Sequence, residues 1–499
     1  MRETEVKFTV PDDFVLPSDL EVGASDVREL PALRLRATYY DTRDLRLARS
    51  GVTLRYRTGD PSSEGWDLKL PVPGTDGTSR EEIHRDGSPE RMPHELRELV
   101  TAFARTEELV RVAALRTNRG RWSMRDASGD ELAVVSDDDV TVLKGRRVVA
   151  HLRELEVESS TDNGTAMGPI VEALGERGAE RGEPLPKLVR ALGPVASRPP
   201  DVVVVGRVPP TDPAGAAVVA ALARSVARLI LHDPIARVGK DPEGVHQMRV
   251  AVRRLRSDLK TFESLVEADW AGGLRGELRW LGDALGHVRD MDVMLESVSD
   301  TGGDMGDDLE PLVEDLTTKR SEARSALLEA MRSERYVALL DELVDAAQTP
   351  RLTQAADTPS RKALPPLVAA AWKRLKKSVT ALGKTPTNEQ LHRVRIRAKK
   401  ARYAAEAVAD ALGGRSRDAR RLAKRCERIQ DLLGEHQDAI VAGELIREAV
   451  ARRARSGRFA FAAGRLHARQ EQVARAARGD FERRWKRADT NKVTAWLRT

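Results

Sequence analysis

Residues 1–8 read Met-Arg-Glu-Thr-Glu-Val-Lys-Phe, and in them Glu3, Glu5 and Lys7 alternate with Thr4, Val6 and Phe8. Side chains on a strand alternate between faces, so the two carboxylates and the ammonium share one side. A face that only meets water has little need of that mixture. A face lining a wet cavity that holds a metal and an anion needs both signs.

Later segments repeat the pattern. Alternating runs at residues 37–40, 53–58, 66–70, 80–84, 112–117, 121–124, 132–135 and 152–157 read as short strands punctuated by Gly, Asp, Pro and Ser. Helical pieces are expected at 90–108 and 169–182. Arg55 and Arg57 share a face, as do Arg80 and Glu82, and as do Glu154, Glu156 and Glu158. Lys69, Arg116, Arg119, Asp137 and Lys187 add single charges. Any one pair fits a solvated face of a half-exposed antiparallel sheet. The whole set fits better a barrel whose apolar side faces covering helices and whose charged side faces inward.

The residue types suit phosphate chemistry. A triphosphate needs Arg forks and Lys ammonium groups. Carboxylates facing that anion repel it unless divalent cations lie between, and Mg²⁺ or Mn²⁺ takes oxygen ligands from both.

The ordered set Glu3/Glu5/Lys7, Arg55/Arg57, Lys69, Arg80/Glu82, Arg119, Asp137, Glu154/Glu156 and Lys187 resembles the CYTH (triphosphate tunnel) family over roughly residues 1–195. Glu81 is an alternative to Glu82, and Arg116 can share the place of Arg119. The resemblance implies an eight-stranded antiparallel tunnel that hydrolyses or cyclises triphosphates. It implies Glu3, Glu5, Glu154 and Glu156 as carboxylates for Mg²⁺ or Mn²⁺, with Glu82 and Asp137 as further candidates. Lys7, Arg55, Arg57, Lys69, Arg80, Arg116, Arg119 and Lys187 would grip phosphates. Lys7, Glu154 and Glu156 would carry the chemistry on a metal-activated water.

Composition sets bounds on the rest. The chain has 499 residues, enough for two or three domains. A single cysteine, Cys426, excludes an intrachain disulfide framework. No uninterrupted apolar run reaches membrane-spanning length, and MRETEVKF does not resemble a signal peptide. The cytoplasm is therefore the expected compartment, no membrane partner is expected, and polyphosphate granules are a candidate association. Residues 1–200 hold 30 Lys and Arg against 36 Asp and Glu, while residues 201–499 hold 54 against 42. The second part is suited to a polyanion.

From about residue 216 apolar residues recur at helical spacing, with a break near 349–366 and an acidic run at 299–310 expected as an exposed loop. This part is duplicated. His246-x-x-Arg249-Val250-x-x-Arg253-Arg254-x-Arg256 matches His392-x-x-Arg395-Ile396-x-x-Lys399-Lys400-x-Arg402 at an offset of 146. Leu285-Gly286 with Asp290 matches Leu433-Gly434 with Asp438 at an offset of 148. On each helix the basic positions i, i+3, i+7 and i+10 fall within an arc of roughly 80°. A basic stripe is usually a solvated face, but the same stripe twice in one chain argues for a shared ligand.

This half resembles the CHAD domain over roughly residues 207–490, which implies binding of inorganic polyphosphate by His246, Arg249, Arg253, Arg254, Arg256, His392, Arg395, Lys399, Lys400 and Arg402. Polyphosphate has no bases to read, so charge recognition suffices. Aromatics make up 4% of the chain, which argues against base stacking and specific nucleic-acid binding.

The expected architecture is α+β: an eight-stranded antiparallel β-tunnel with flanking helices at 1–195, a linker at 196–214, and an all-α domain of two repeated four-helix bundles at 215–499, with halves at about 215–348 and 366–490. The expected function is metal-dependent hydrolysis of inorganic triphosphate, or a related short phosphate chain, beside polyphosphate binding. The alternatives are a thiamine, nucleoside or RNA triphosphatase, an adenylate cyclase, a non-catalytic polyphosphate-binding protein and a general nucleic-acid binder.

Overall fold

The computed structural model describes residues 4–11, 13–16, 26–75, 79–145, 147–159, 167–181, 186–452 and 457–498. It divides into two compact units, Met1–Asp201 and Val202–Thr499.

The first unit is built on nine antiparallel strands: β1 (Thr4–Thr9), β2 (Asp26–Asp41), β3 (Thr53–Thr58), β4 (Gly65–Pro71), β5 (Arg80–Arg85), β6 (Val110–Arg125), β7 (Glu131–Lys144), β8 (Arg147–Ser159) and β9 (Glu180–Arg181). Their order is β5-β4-β3-β2-β6-β7-β8-β1-β9. The ninth strand, beyond the eight expected, is a two-residue bridge from Glu180 and Arg181 to β1. The strands are longer than their apolar runs. Residues 112–117 and 121–124 belong to one 16-residue strand, β6, and the Ser-Asp-Asp-Asp run continues β7. Polar residues do not end these strands because one sheet face is polar by design.

The other face is apolar. Phe8, Met124, Val135, Leu155 and Val157 pack under α4 (Gly168–Glu176) through Ile170, Val171 and Leu174. Four further short helices are α1 (Arg46–Arg49), α2 (His94–Leu99), α3 (Thr101–Ala104) and α5 (Lys187–Leu192). The single helix expected at 90–108 is thus two, meeting at Val100. Helix α5 seats Leu188 and Val189 against Tyr39, Leu115, Val140 and Val142, at the apolar end of the charged face. Residues 193–201 close this unit, with Asp201 ion-paired to Arg49 and Arg105.

The second unit is helical: α6 (Ala214–Val238), α7 (Glu243–Thr261), α8 (Ala268–Gly302), α9 (Glu310–Arg332), α10 (Glu334–Gln348), α11 (Ser360–Thr380), α12 (Asn388–Ala409), α13 (Ser416–Arg452), α14 (Gly457–Ala488) and the short α15 (Asn491–Thr494). The repeat matches α7 to α12 and α8 to α13. The fourth helix is unbroken in the second half. In the first half Ser333 leaves helical geometry and caps α10, so it is broken in two. Helix α6 is long and apolar enough to cross a membrane by length and composition, but two-thirds of its most apolar window is buried within this unit. The acidic run at 299–310 is not an exposed loop. It ends α8 and forms a 3-10 turn that buries Met305 and Leu309 against Phe459 and Leu466. Between Asp201 and α6 the chain belongs to this unit, where the Val208 N–H donates to the Asp410 carbonyl.

One buried carboxyl gives this unit a pH signature. Asp258 on α7 is fully buried, neither carboxyl oxygen has a hydrogen-bond partner, and Arg254 Nε stands 3.4 Å away. Burial pushes Asp258 up to about 7. A raised carboxyl contributes stability that is complete below its unfolded value and lost as pH rises through its folded value. Denaturant midpoints should therefore fall between pH 5 and 8, and Asp258→Asn should flatten that fall, gaining on the order of 3 kcal/mol at pH 8.

Candidate functional site

The charged sheet face is assembled by register. Lys7 pairs with Glu156, and Glu5 with Glu158. Asp138 lies opposite both Arg119 and Glu154. Cross-strand partners share a face, so these side chains converge. Arg55 lies opposite Asp67, and Lys69 opposite Glu82, on the same face further along the sheet.

At its centre, Asp138, Glu154 and Glu156 are buried and each offers a carboxylate oxygen within 4.8 Å of the others. Burying three carboxylates together requires compensating charge. Lys187, from the first turn of α5, supplies it by contacting Asp138 and lying 3.0 Å from Glu154 and 3.1 Å from Glu156. Arg119 donates through Nε to Asp138 at 2.7 Å and through Nη2 to Glu156 at 2.6 Å. Lys7 Nζ donates to Glu156 at 2.9 Å, and Arg190 pairs with Glu154. Burial alone would depress Lys187 and Arg119, but the surrounding carboxylates hold both above their usual ranges. Three hard oxygen donors that gather a cation from α5 suit Mg²⁺ or Mn²⁺.

A second cluster lies on β3, β4 and β5. Asp67 accepts from Arg55 Nε at 3.0 Å, bonds His84 Nδ1 at 2.9 Å and has Arg57 Nε 3.7 Å away. Burial raises Asp67, yet Arg55, His84 and Arg57 outweigh it and hold the carboxyl below its usual value. Burial and the neighbouring Arg55 lower Arg57, whose Nε is buried without a hydrogen-bond partner.

The structure brings Lys7, Arg119, Glu154, Glu156 and Lys187 together, with Arg55, Arg57, Lys69, Arg80 and Glu82 on the same face. Three assignments change. Asp137 is not in the site: it lies opposite Leu155 on the helix-covered face and pairs with Arg153 at 2.8 Å, and its neighbour Asp138 points inward. Arg116 is exposed, three residues from Arg119 on one unbroken strand and so on the opposite face. Glu82 pairs with Lys69 rather than joining the acidic cluster, while Glu81 lies opposite Leu70 on the other face. Glu3 and the side chain of Glu5 lie outside the described residues. Asp67, His84 and Arg190 were missed. Asp67 precedes Lys69 by two residues and His84 follows Glu82 by two, so the strand period alone could have found both.

In the helical unit α7 packs against α12, and the two stripes meet. Lys399 is surrounded by Arg253, Arg395, Arg249 and Arg256, and burial with these cations pushes it down to about 7. Arg249 Nη1, Arg253 Nε and Arg395 Nε are buried without hydrogen-bond partners. The repeated Leu-Gly pairs have a steric reason: a Cβ at Gly286 would come 2.7 Å from Arg249 Nη1, and one at Gly434 would come 3.5 Å from Arg395 Nε. Asp290 pairs with Arg249 at 3.2 Å. His392 bonds Gln437 at 3.0 Å. His246 is lowered by burial and by Arg289, Arg253 and Arg249.

Not every basic residue of the stripes is available. Arg254 pairs with Glu406 and lies over the Tyr403 ring. Arg402 pairs with Glu406 at 2.8 Å and Glu427 at 2.7 Å. Lys400 faces Arg397, Lys260, Arg275 and Arg374 instead. These three stand apart from the cluster around Lys399.

The chain matches the CYTH domain over residues 1–179 and the CHAD domain over residues 220–447, and it belongs to this CYTH–CHAD family. Uncharacterized protein Rv2226 of Mycobacterium tuberculosis (strain ATCC 25618 / H37Rv) is 32% identical over 520 residues, spanning 98% of this chain and 96% of its own. Among solved structures, PptA from Streptomyces chartreusis is 28% identical, with a TM-score of 0.46 over 55% of this chain and 99% of that one. The CHAD domain from the plant Ricinus communis is 26% identical, with a TM-score of 0.43 over 60% of this chain and 95% of that one. Members of the CYTH family are triphosphatases or cyclases and depend on metal.

The correction at β7 is directly testable. Asp138→Asn should weaken Mn²⁺ binding, followed by the spin resonance of the free ion, on the order of 100-fold, because it removes one of three oxygen donors. Asp137→Asn should leave it within a few-fold of the parent.

Proposed function

We propose that the first unit hydrolyses inorganic triphosphate, or a related short phosphate chain, and that the second binds inorganic polyphosphate. The observation that carries the enzyme reading is the buried Asp138–Glu154–Glu156 cluster beside Arg119, Lys7 and Lys187. A surface built only to bind an anion gains nothing from three buried carboxylates. Mg²⁺ or Mn²⁺ held by these three would supply the positive charge that lets phosphate oxygens approach them. Arg55, Arg57, Arg119 and Lys69 orient the phosphate chain by its non-bridging oxygens. Water attacks the terminal phosphorus, a new P–O bond forms as the bridging bond breaks, and pyrophosphate leaves. A cluster carboxylate, Glu154 or Glu156, takes the proton, and Lys7 positions Glu156 through its 2.9 Å hydrogen bond. No apolar pocket for a base or thiazole ring adjoins the described cluster, which favours an inorganic chain over an organic triphosphate.

The two activities should separate by mutation. Glu154→Gln with Glu156→Gln should reduce metal-dependent phosphate release at least about 100-fold while polyphosphate binding persists. Arg249→Gln with Arg395→Gln should do the reverse. Loss of both activities in the first variant, with the fold intact by circular dichroism, would contradict this division of labour.

Polyphosphate binding should also depend on pH. Lys399 is depressed, so the unliganded groove loses that charge above about pH 7. A bound anion restores the ammonium, and binding then takes up a proton. Affinity measured by calorimetry should be about tenfold higher at pH 6 than at pH 8, with His246 contributing in the same direction. Lys399→Met should shrink the difference.

A further inference from the structure

Helix α12 is basic on two sides. Leu391, Val394, Ala398 and Ala401 form its buried face. At about 100° per residue, the His392–Arg402 stripe flanks that face on one side. Gln390, Arg393, Arg397 and Lys400 flank it on the other, roughly 160° from the first stripe.

This second stripe opens onto a groove between α11 and α12 with a volume of about 480 Å³. Its polar lining is Arg374, Lys377, Ser378, Gln390, Arg393 and Arg397, with no carboxylate among the lining residues. None of the four cations is in an ion pair among the described residues, whereas Arg254 and Arg402 nearby are each tied to carboxylates. The positive field extends beyond the groove: burial depresses Lys400, and Arg397, Lys260, Arg275 and Arg374 add to the effect.

The groove is not a by-product of the duplication. At the offset of 146, Gln247 and Ala251 stand where Arg393 and Arg397 stand, and Leu231 where Lys377 stands. Ala251 is buried, so the first half has no such groove. Solvated basic faces usually carry interleaved acids that relieve repulsion. Here four like charges line one concavity, an arrangement that an anion stabilises and water alone does not.

We propose that the α11–α12 groove is a second binding site for a phosphate oligoanion, separate from the α7–α12 groove. This rests on the reading that the helical unit takes phosphate chains. The ligand is either a separate short chain or the overhang of a long chain already held in the α7–α12 groove.

The test uses the full chain with chelator present, comparing the parent, Arg393→Gln/Arg397→Gln, Arg249→Gln/Arg395→Gln, and all four changes together. Calorimetry with polyphosphate of about ten and of several hundred units reads stoichiometry and affinity. The Arg249/Arg395 variant should retain weaker, salt-sensitive binding that the fourfold variant loses. Loss of one bound short chain per protein in the Arg393/Arg397 variant marks a separate-chain site. An unchanged number with weaker long-chain binding, and a salt slope smaller by about 1.5, marks an overhang. Arg393→Lys/Arg397→Lys should preserve binding, which separates charge from fold. The proposal is overturned if the Arg393/Arg397 variant binds both chains as the parent does, or if residual binding in the Arg249/Arg395 variant survives the two added changes. Unimpaired binding by the Arg249/Arg395 variant alone would instead refute the α7–α12 groove and leave this site standing.

Discussion

Antiparallel register across β6, β7, β8 and β1 is the constraint on which the catalytic unit depends. It sets Arg119 beside Asp138, Asp138 beside Glu154, and Glu156 beside Lys7. A slip of one residue in any of these strands would send its charges under α4 and its apolar residues into the cluster. Three carboxylates are tolerable there only because Lys7, Arg119, Lys187 and Arg190 reach them. Two of those four cations come from α5, so the six-residue helix does more than close the apolar end of the face. It completes the charge balance of the site.

The helical unit meets the opposite problem. Its cations outnumber nearby acids, and their repulsion appears in the depressed Lys399 and in donors of Arg249, Arg253 and Arg395 left without partners. Gly286 and Gly434 leave the room that lets these guanidinium groups stand upright between helices. A conformation that stores like-charge repulsion is what a polyanion site requires, because ligand binding then releases that repulsion.

Much of this was legible in the sequence, for reasons that also mark where legibility stops. The period of two exposed Glu154/Glu156, Arg55/Arg57 and Arg80/Glu82 directly. It failed at residues 137–139, where three consecutive aspartates conceal which parity faces inward, and Asp138 was passed over for Asp137. It failed at β6 because Asn118 and Gly120 read as a break. Once the strand is continuous, Arg116 and Arg119 must face opposite ways. On the helices the 3.6-residue period found both stripes. It could not see that Glu406 and Glu427 claim Arg254 and Arg402, since those partners come from other turns and other helices. The acidic run at 299–310 misled because Met305 and Leu309 lie hidden within it.

The most direct test of the central claim is phosphate release by the purified chain from inorganic triphosphate, ATP and thiamine triphosphate, with Mg²⁺ or Mn²⁺ and again with chelator. The account predicts fast release from inorganic triphosphate, abolished by chelator, with the two organic substrates far slower. No release from any of the three by a folded chain that still binds polyphosphate would contradict it and leave the charged face as a recognition surface.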